Sequence, residues 1–154
     1  MKKMLLAVDN TKGSERAAQT VAGWAKGFRP EAIVLLHVQQ LFGLSKIGEG
    51  LESDQDIAEV TAALEDSDQM KQFNAASAKI LSHFTHTLEV AGYGNIKSLI
   101  KQGHPAEQIL STAKEEGVDL IVLGSHGARL HTLLIGSVSR EVANTAEISV
   151  LIAR

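Results

Sequence analysis

The strongest constraint on this chain is an unbroken apolar run, residues 120–123, that leads directly into Gly124. Such a run suits a parallel strand covered on both faces, where no position can alternate to solvent. Comparable short runs occupy residues 4–8, 32–38 and 148–153, the second interrupted only by His37. Residues 95–101 are less uniformly apolar and read as a further strand at a sheet edge.

Helical spacing fills the intervals. Ala17, Ala18, Val21, Trp24 and Ala25 form one inward face, with Thr11 or Ser14 as its cap and Gly27 and Pro30 as its stop. Met70, Phe73, Ser77, Ile80, Phe84, Leu88 and Ala91 form the longest stripe, closed by Gly92. Pro105 suits the first turn of a third helix, in which Ala106, Ile109, Leu110 and Ala113 face inward and which Gly117 closes. Gly136 and Ser137 open the last helix. The order β-α-β-α-β-α-β-α-β implies one doubly wound, mainly parallel α/β sheet with helices on both faces. Residues 1–154 fit a single domain, and residues 39–67, with Gly43, Gly48, Gly50 and several acids, read as a variable insertion or lid.

Open parallel sheets bind ligands outside the carboxyl ends of their strands, where the strand order reverses. Asp9, Val38 and Gly124 all fall at such ends. Beyond Gly124 comes the pattern G-x-x-G, eight residues, then G-S, from Gly124 and Gly127 to Gly136 and Ser137. Glycines after a strand, followed by a helix start with unpaired N–H groups, make an anion site suited to phosphate. No G-x-x-x-x-G-K-[ST], no G-x-G-x-x-G after the first strand and no G-x-S-x-G occurs, which removes P-loop, dinucleotide and esterase signatures. Asp9 as a phosphoacceptor is rejected, because Asn10 and Thr11 supply no further acid for Mg²⁺. Its plain alternative is a carboxylate capping the following turn.

Composition narrows the partners. There is no cysteine, so disulfides, zinc–thiolate sites and thiol nucleophiles are excluded. A net charge of −3 disfavours nucleic acid and anionic membranes. The apolar run at residues 4–8 is too short for a signal peptide, and no stretch reads as a membrane span, so the expected compartment is the cytoplasm. His37 reads as a hydrogen-bonded core residue, and His104, His126 and His131 as surface. His83 and His86 stand i, i+3 on one helix without an evident third metal ligand. Arg129 and Arg140 read as solvated.

The segments Leu5-Leu6-Ala7-Val8-Asp9, Leu35-Leu36-His37-Val38, Gly103 with Pro105 to Leu110, Asp119 to Gly127, and Gly136-Ser137-Val138 together resemble the universal stress protein family. The resemblance covers nearly the whole chain. It implies a five-stranded sheet in the order 3-2-1-4-5, commonly a homodimer through the C-terminal strand. For the nucleotide-binding branch it implies ATP, with or without Mg²⁺, beside the first and fourth strands. Ala7, Asp9 and Val38 would meet the nucleoside. Gly124, Gly127, Gly136, Ser137 and Val138 would hold ribose and phosphates, and Leu123 would line the same nucleotide site.

Three positions depart from the family pattern. The interval between Gly127 and Gly136 is one residue short, Ser149 stands where proline is usual, and Asn10-Thr11 replaces Gly-Ser. The expectation is therefore an adenine-nucleotide-binding stress-response protein, acting as a dimeric switch toward an unknown protein partner. The alternatives are a non-binding interaction module of the same fold, or a slow ATP hydrolase using His126 and Asp9. Catalysis beyond that is not expected.

Overall fold

The computed structural model describes residues 1–40, 67–125 and 135–154. Its elements are β1 (Lys3–Ala7), α1 (Lys12–Ala22), β2 (Ala32–Gln39), α2 (Asp68–Val90), β3 (Ile96–Gln102), α3 (Pro105–Glu116), β4 (Leu120–Gly124), α4 (Ser137–Thr145) and β5 (Ser149–Ala153), with a 3-10 turn (Lys26–Phe28) before β2. The five strands form one sheet, ordered β3-β2-β1-β4-β5, and each neighbouring pair is parallel. This is the doubly wound α/β sheet expected from the sequence pattern, in the 3-2-1-4-5 order that the family resemblance implies. β3 lies at one edge, and β5 forms the other.

Alternation along the central strands feeds two cores. Met4, Leu6, Ile33, Leu35 and Val122 pack with Ala17, Val21, Leu81, Phe84 and Leu88 of α1 and α2. Leu5, Val34, Leu36, Ile121 and Leu123 pack with Ala106, Ile109, Ala113 and Val142 of α3 and α4. Both faces of β1 and β2 are therefore dry, which is why the stretches Met4–Ala7 and Ala32–Leu36 are apolar without a break. Each fully buried Leu or Ile contributes about 1.5–3 kcal/mol of transfer free energy.

Polar groups close the ends of these layers. The buried Tyr93 hydroxyl donates to the Val21 carbonyl at 2.6 Å, tying the end of α2 to α1. Arg29 stacks 4.7 Å over the same ring. Burial raises the Tyr93 pKa, and the Arg29 charge opposes it. At the amino ends of the strands, the Asp119 carboxylate accepts the Lys2 and Lys3 N–H groups at 2.7 and 3.0 Å. Glu116 pairs with Lys97 at 2.5 Å and with Lys3 at 3.6 Å.

Several local expectations need correction. α1 ends at Ala22 with Gly23 as its C-cap, so Trp24 and Ala25 lie beyond the helix, not on it. Gly27 instead sits in the separate 3-10 turn. On α2 the buried residues are Met70, Ser77, Leu81, Phe84 and Leu88, whereas Phe73 is 45% exposed. At about 100° per residue, Phe73 falls on the flank of that stripe, and Leu81 falls near its centre. The inward face of α3 includes Thr112, which an apolar pattern cannot reveal. Gln39 completes β2 and Ser67 caps α2 by accepting the Met70 N–H at 3.2 Å, so the proposed insertion loses both of its ends. Its remainder, residues 41–66, lies outside the described residues.

Candidate functional site

The carboxyl ends of β1, β2 and β4 converge at the switch point, where β1 has β2 on one side and β4 on the other. Ala7 ends β1 opposite Leu36, and the Val8 N–H continues the ladder to the Leu36 carbonyl at 2.9 Å. His37 then turns its Nδ1 to the Val8 carbonyl at 2.8 Å and is 9% exposed. It is the hydrogen-bonded core histidine that its apolar surroundings imply. Its bond clamps the strand end from which Asp9 projects. Val38, one residue on, is half-buried on the α3 side of the sheet.

Asp9 is exposed, and among the described residues its side-chain bonds are all made by Oδ1. Oδ1 accepts the Ser14 hydroxyl at 2.6 Å and also the Thr11 hydroxyl. Ser14 Oγ in turn accepts the Asp9 N–H at 2.8 Å. Thr11 is the N-cap of α1 and accepts the Ser14 N–H. Asp9 thus braces the cap rather than forming it. Both hydroxyls were visible in the sequence as possible caps, but their convergence on one carboxylate oxygen needed the turn geometry.

Gly124 has a different reason to be glycine than the one its motif suggests. A Cβ there would stand 2.4 Å from the carbonyl carbon of Gly13 and 2.5 Å from its oxygen. The residue lets the first turn of α1 pack directly on the end of β4. No sequence signal pairs these two glycines, which are 111 positions apart.

Beyond β4, hydrogen bonds among the described residues anchor the chain. The Ser125 N–H donates to the Ala153 carbonyl, and the Gly136 N–H donates to the Ser125 carbonyl, each at 2.7 Å. Ser139 Oγ donates to the Gly124 carbonyl at 2.7 Å. They hold the start of α4 against the ends of β4 and β5. One expected phosphate donor, the Gly136 N–H, is consequently already committed. Gly136 is the N-cap and provides no side-chain cap bond. Among the described residues, no backbone carbonyl accepts from the Ser137 or Val138 N–H groups, and Ser137 is exposed. These groups and the dipole of α4 are suited to an anion.

The described residues thus bring Ala7, Asp9, Leu123, Gly124, Gly136, Ser137 and Val138 to one end of the sheet, with Val38 on the neighbouring strand. Gly127, His126, Arg129 and His131 lie outside the described residues, as does the shortened interval after Gly127. Arg140 is exposed, with Nη2 on the Ile135 carbonyl at 3.3 Å. His83 pairs with Glu15 at 2.8 Å, and His104 lies 3.8 Å from Glu141. Among the described residues, no group of three or more His, Asp or Glu side chains is placed to hold a metal ion. No described helix is long and apolar enough to cross a membrane.

Comparison with known proteins follows the same outline. The family model for the universal stress protein family matches residues 1–154. Universal stress protein YxiE of Bacillus subtilis is 30% identical, covering 99% of this chain and 98% of that protein. Universal stress protein MJ0577 of Methanocaldococcus jannaschii is 29% identical, covering 99% and 94%. The solved structure of MJ0577 aligns with a TM-score of 0.69 at 28% identity, over 99% of this chain and 94% of the other. A universal stress protein family structure from Arabidopsis thaliana with AMP bound aligns at 0.62 and 22% identity, covering 99% and 91%. A universal stress protein in complex with cAMP aligns at 0.66 and 18%, covering 99% and 96%. At those last identities the likeness concerns the fold.

Proposed function

This chain belongs to the universal stress protein family, and from that premise we propose that it binds an adenine nucleotide, ATP in particular, at the carboxyl end of its sheet. The observation that carries the reading is the start of α4. It is held rigidly against β4 by Ser139 and Gly136, yet the Ser137 and Val138 N–H groups lack described backbone acceptors. Phosphates would sit at these groups and the Ser137 hydroxyl, with Gly127 as the further donor implied by the motif. The nucleoside would lie toward Ala7, Asp9 and Val38, beside Leu123 and Gly124. Asp9 would accept from nucleoside donors while its charge keeps phosphate at the α4 end. Any Mg²⁺ would arrive on the phosphates. Fold relatives holding AMP and cAMP support the adenine assignment.

The same reading makes the protein a cytoplasmic stress-response switch that pairs through β5 and passes nucleotide occupancy to a protein partner. Its support is the relay from Gly136 through Ser125 to Ala153, which joins the proposed phosphate end of the site to an edge strand. Dedicated hydrolysis is not part of it. Among the described residues no lysine or arginine is bonded into the α4 start except Arg140, whose guanidinium turns to a backbone carbonyl.

The test is direct. Heat-denatured protein should release adenine nucleotide into the supernatant, or Mg·ATP should raise the melting temperature. At about 100 times Kd the ligand adds about 2.7 kcal/mol, a shift of roughly 5–10 °C for a chain of this size. Neither signal would leave the non-binding interaction module as the correct description.

A further inference from the structure

The hydrogen bonds around Asp9 assign a role to a residue that the nucleotide reading does not use. Ser14 is 5% exposed and sits beneath the site, behind Asp9. Its single hydroxyl proton goes to Asp9 Oδ1 at 2.6 Å, and its oxygen takes the Asp9 N–H at 2.8 Å. The Thr11 proton goes to the same Oδ1. A hydroxyl has one proton to give, so neither has any left for a ligand. Two donors on Oδ1 and one bond to the backbone fix both ends of the Asp9 side chain. The exposed carboxylate is then an oriented acceptor, and an ionised carboxylate can only accept. Helix capping alone explains Thr11, since Thr11 receives the Ser14 N–H. It does not call for the return bond from Ser14 Oγ to Oδ1.

We infer that Ser14 is a positioning residue, which holds Asp9 in the orientation that accepts N–H or O–H donors of a bound nucleoside. This rests on the nucleotide reading above. Ser14 acts through Asp9 and does not touch the ligand. Without its hydroxyl, Asp9 gains rotamer freedom and must be reordered whenever ligand binds.

A double-mutant cycle on ATP affinity, read by calorimetry, tests the coupling. Ser14→Ala should weaken ATP binding on the order of tenfold. In an Asp9→Ala background the same substitution should change affinity by less than about twofold, since its target is gone. Equal losses in both backgrounds would mean that Ser14 acts only on the fold, and overturn the inference. Unchanged affinity in Ser14→Ala would do the same. If Ser14→Ala does not fold, Ser14→Cys, which fills the same position but offers Asp9 only a weak donor, runs through the identical cycle. Failure of the unaltered protein to bind ATP overturns the nucleotide reading and this inference together. Binding without coupling overturns the inference alone.

Discussion

Gly124 and Thr112 show how differently single positions are constrained. A methyl group on Gly124 meets the Gly13 backbone at 2.4 Å, and backbone cannot rotate away. Gly124→Ala should therefore cost about 3 kcal/mol, read as a lower urea midpoint. Gly27, around which a Cβ would find nothing within 4 Å, is the control. Gly27→Ala should leave the midpoint unchanged or raise it slightly. Thr112 is fully buried, and its hydroxyl has no partner among the described residues. Thr112→Val keeps the shape and removes a desolvated hydroxyl, so stability should rise by about 1 kcal/mol in the same assay. Neither packing constraint is legible in sequence. Gly124 looks like loop chemistry, and Thr112 looks like surface.

Among elements, β5 is the least finished. Its sequence Ser-Val-Leu-Ile-Ala has no charge and no proline, and Val150, Leu151 and Ile152 are only half-buried. An edge strand left so bare invites pairing with another chain. Ile152 belongs to neither core, unlike Val150 and Leu151. Under the proposed pairing through β5, Ile152→Lys should sediment as a monomer where the unaltered chain sediments as a dimer, with the melting curve of the monomer intact. If the dimer persists, pairing through β5 is wrong. β3, the opposite edge, carries Lys97 and Lys101, each tied to an acid of α3. That contrast was legible in the sequence, because charge and apolar pattern on a strand are local properties.

At the scale of the molecule, the two ends of the sheet divide the work. The carboxyl end carries the candidate site, and the amino end is locked by Glu116, Asp119 and the lysines around them. A hydrogen bond from Lys97, with the charges of Lys97 and Lys3, lowers the Glu116 pKa against a smaller desolvation effect. The Lys3 N–H, then that of Lys2, lowers the pKa of Asp119. A carboxylate held down in the folded state stabilises it above the unfolded pKa, here near the ordinary 4.5 and 3.8. That stability disappears as pH falls through the depressed folded values. The melting temperature should drop steadily below about pH 4.5, and Glu116→Gln should make the drop shallower. An unchanged acid slope in that variant would show that the cluster contributes nothing.

By itself the sequence determined the parallel α/β class, the strand that lies at the β3 edge and the histidine that belongs to the core. Each follows from periodicity or from the position of a residue relative to its own strand, and these are short-range properties. Tertiary structure decided the rest. It took the Gly136 N–H out of the donor set, set Gly124 against Gly13, turned Ser14 toward Asp9 and left Phe73 outside the core. The first two outcomes depend on which backbone atoms of separate segments arrive within 3 Å of one another, and the last two on the exact geometry of a turn and the phase of a helix, which the identity of the residues alone does not record.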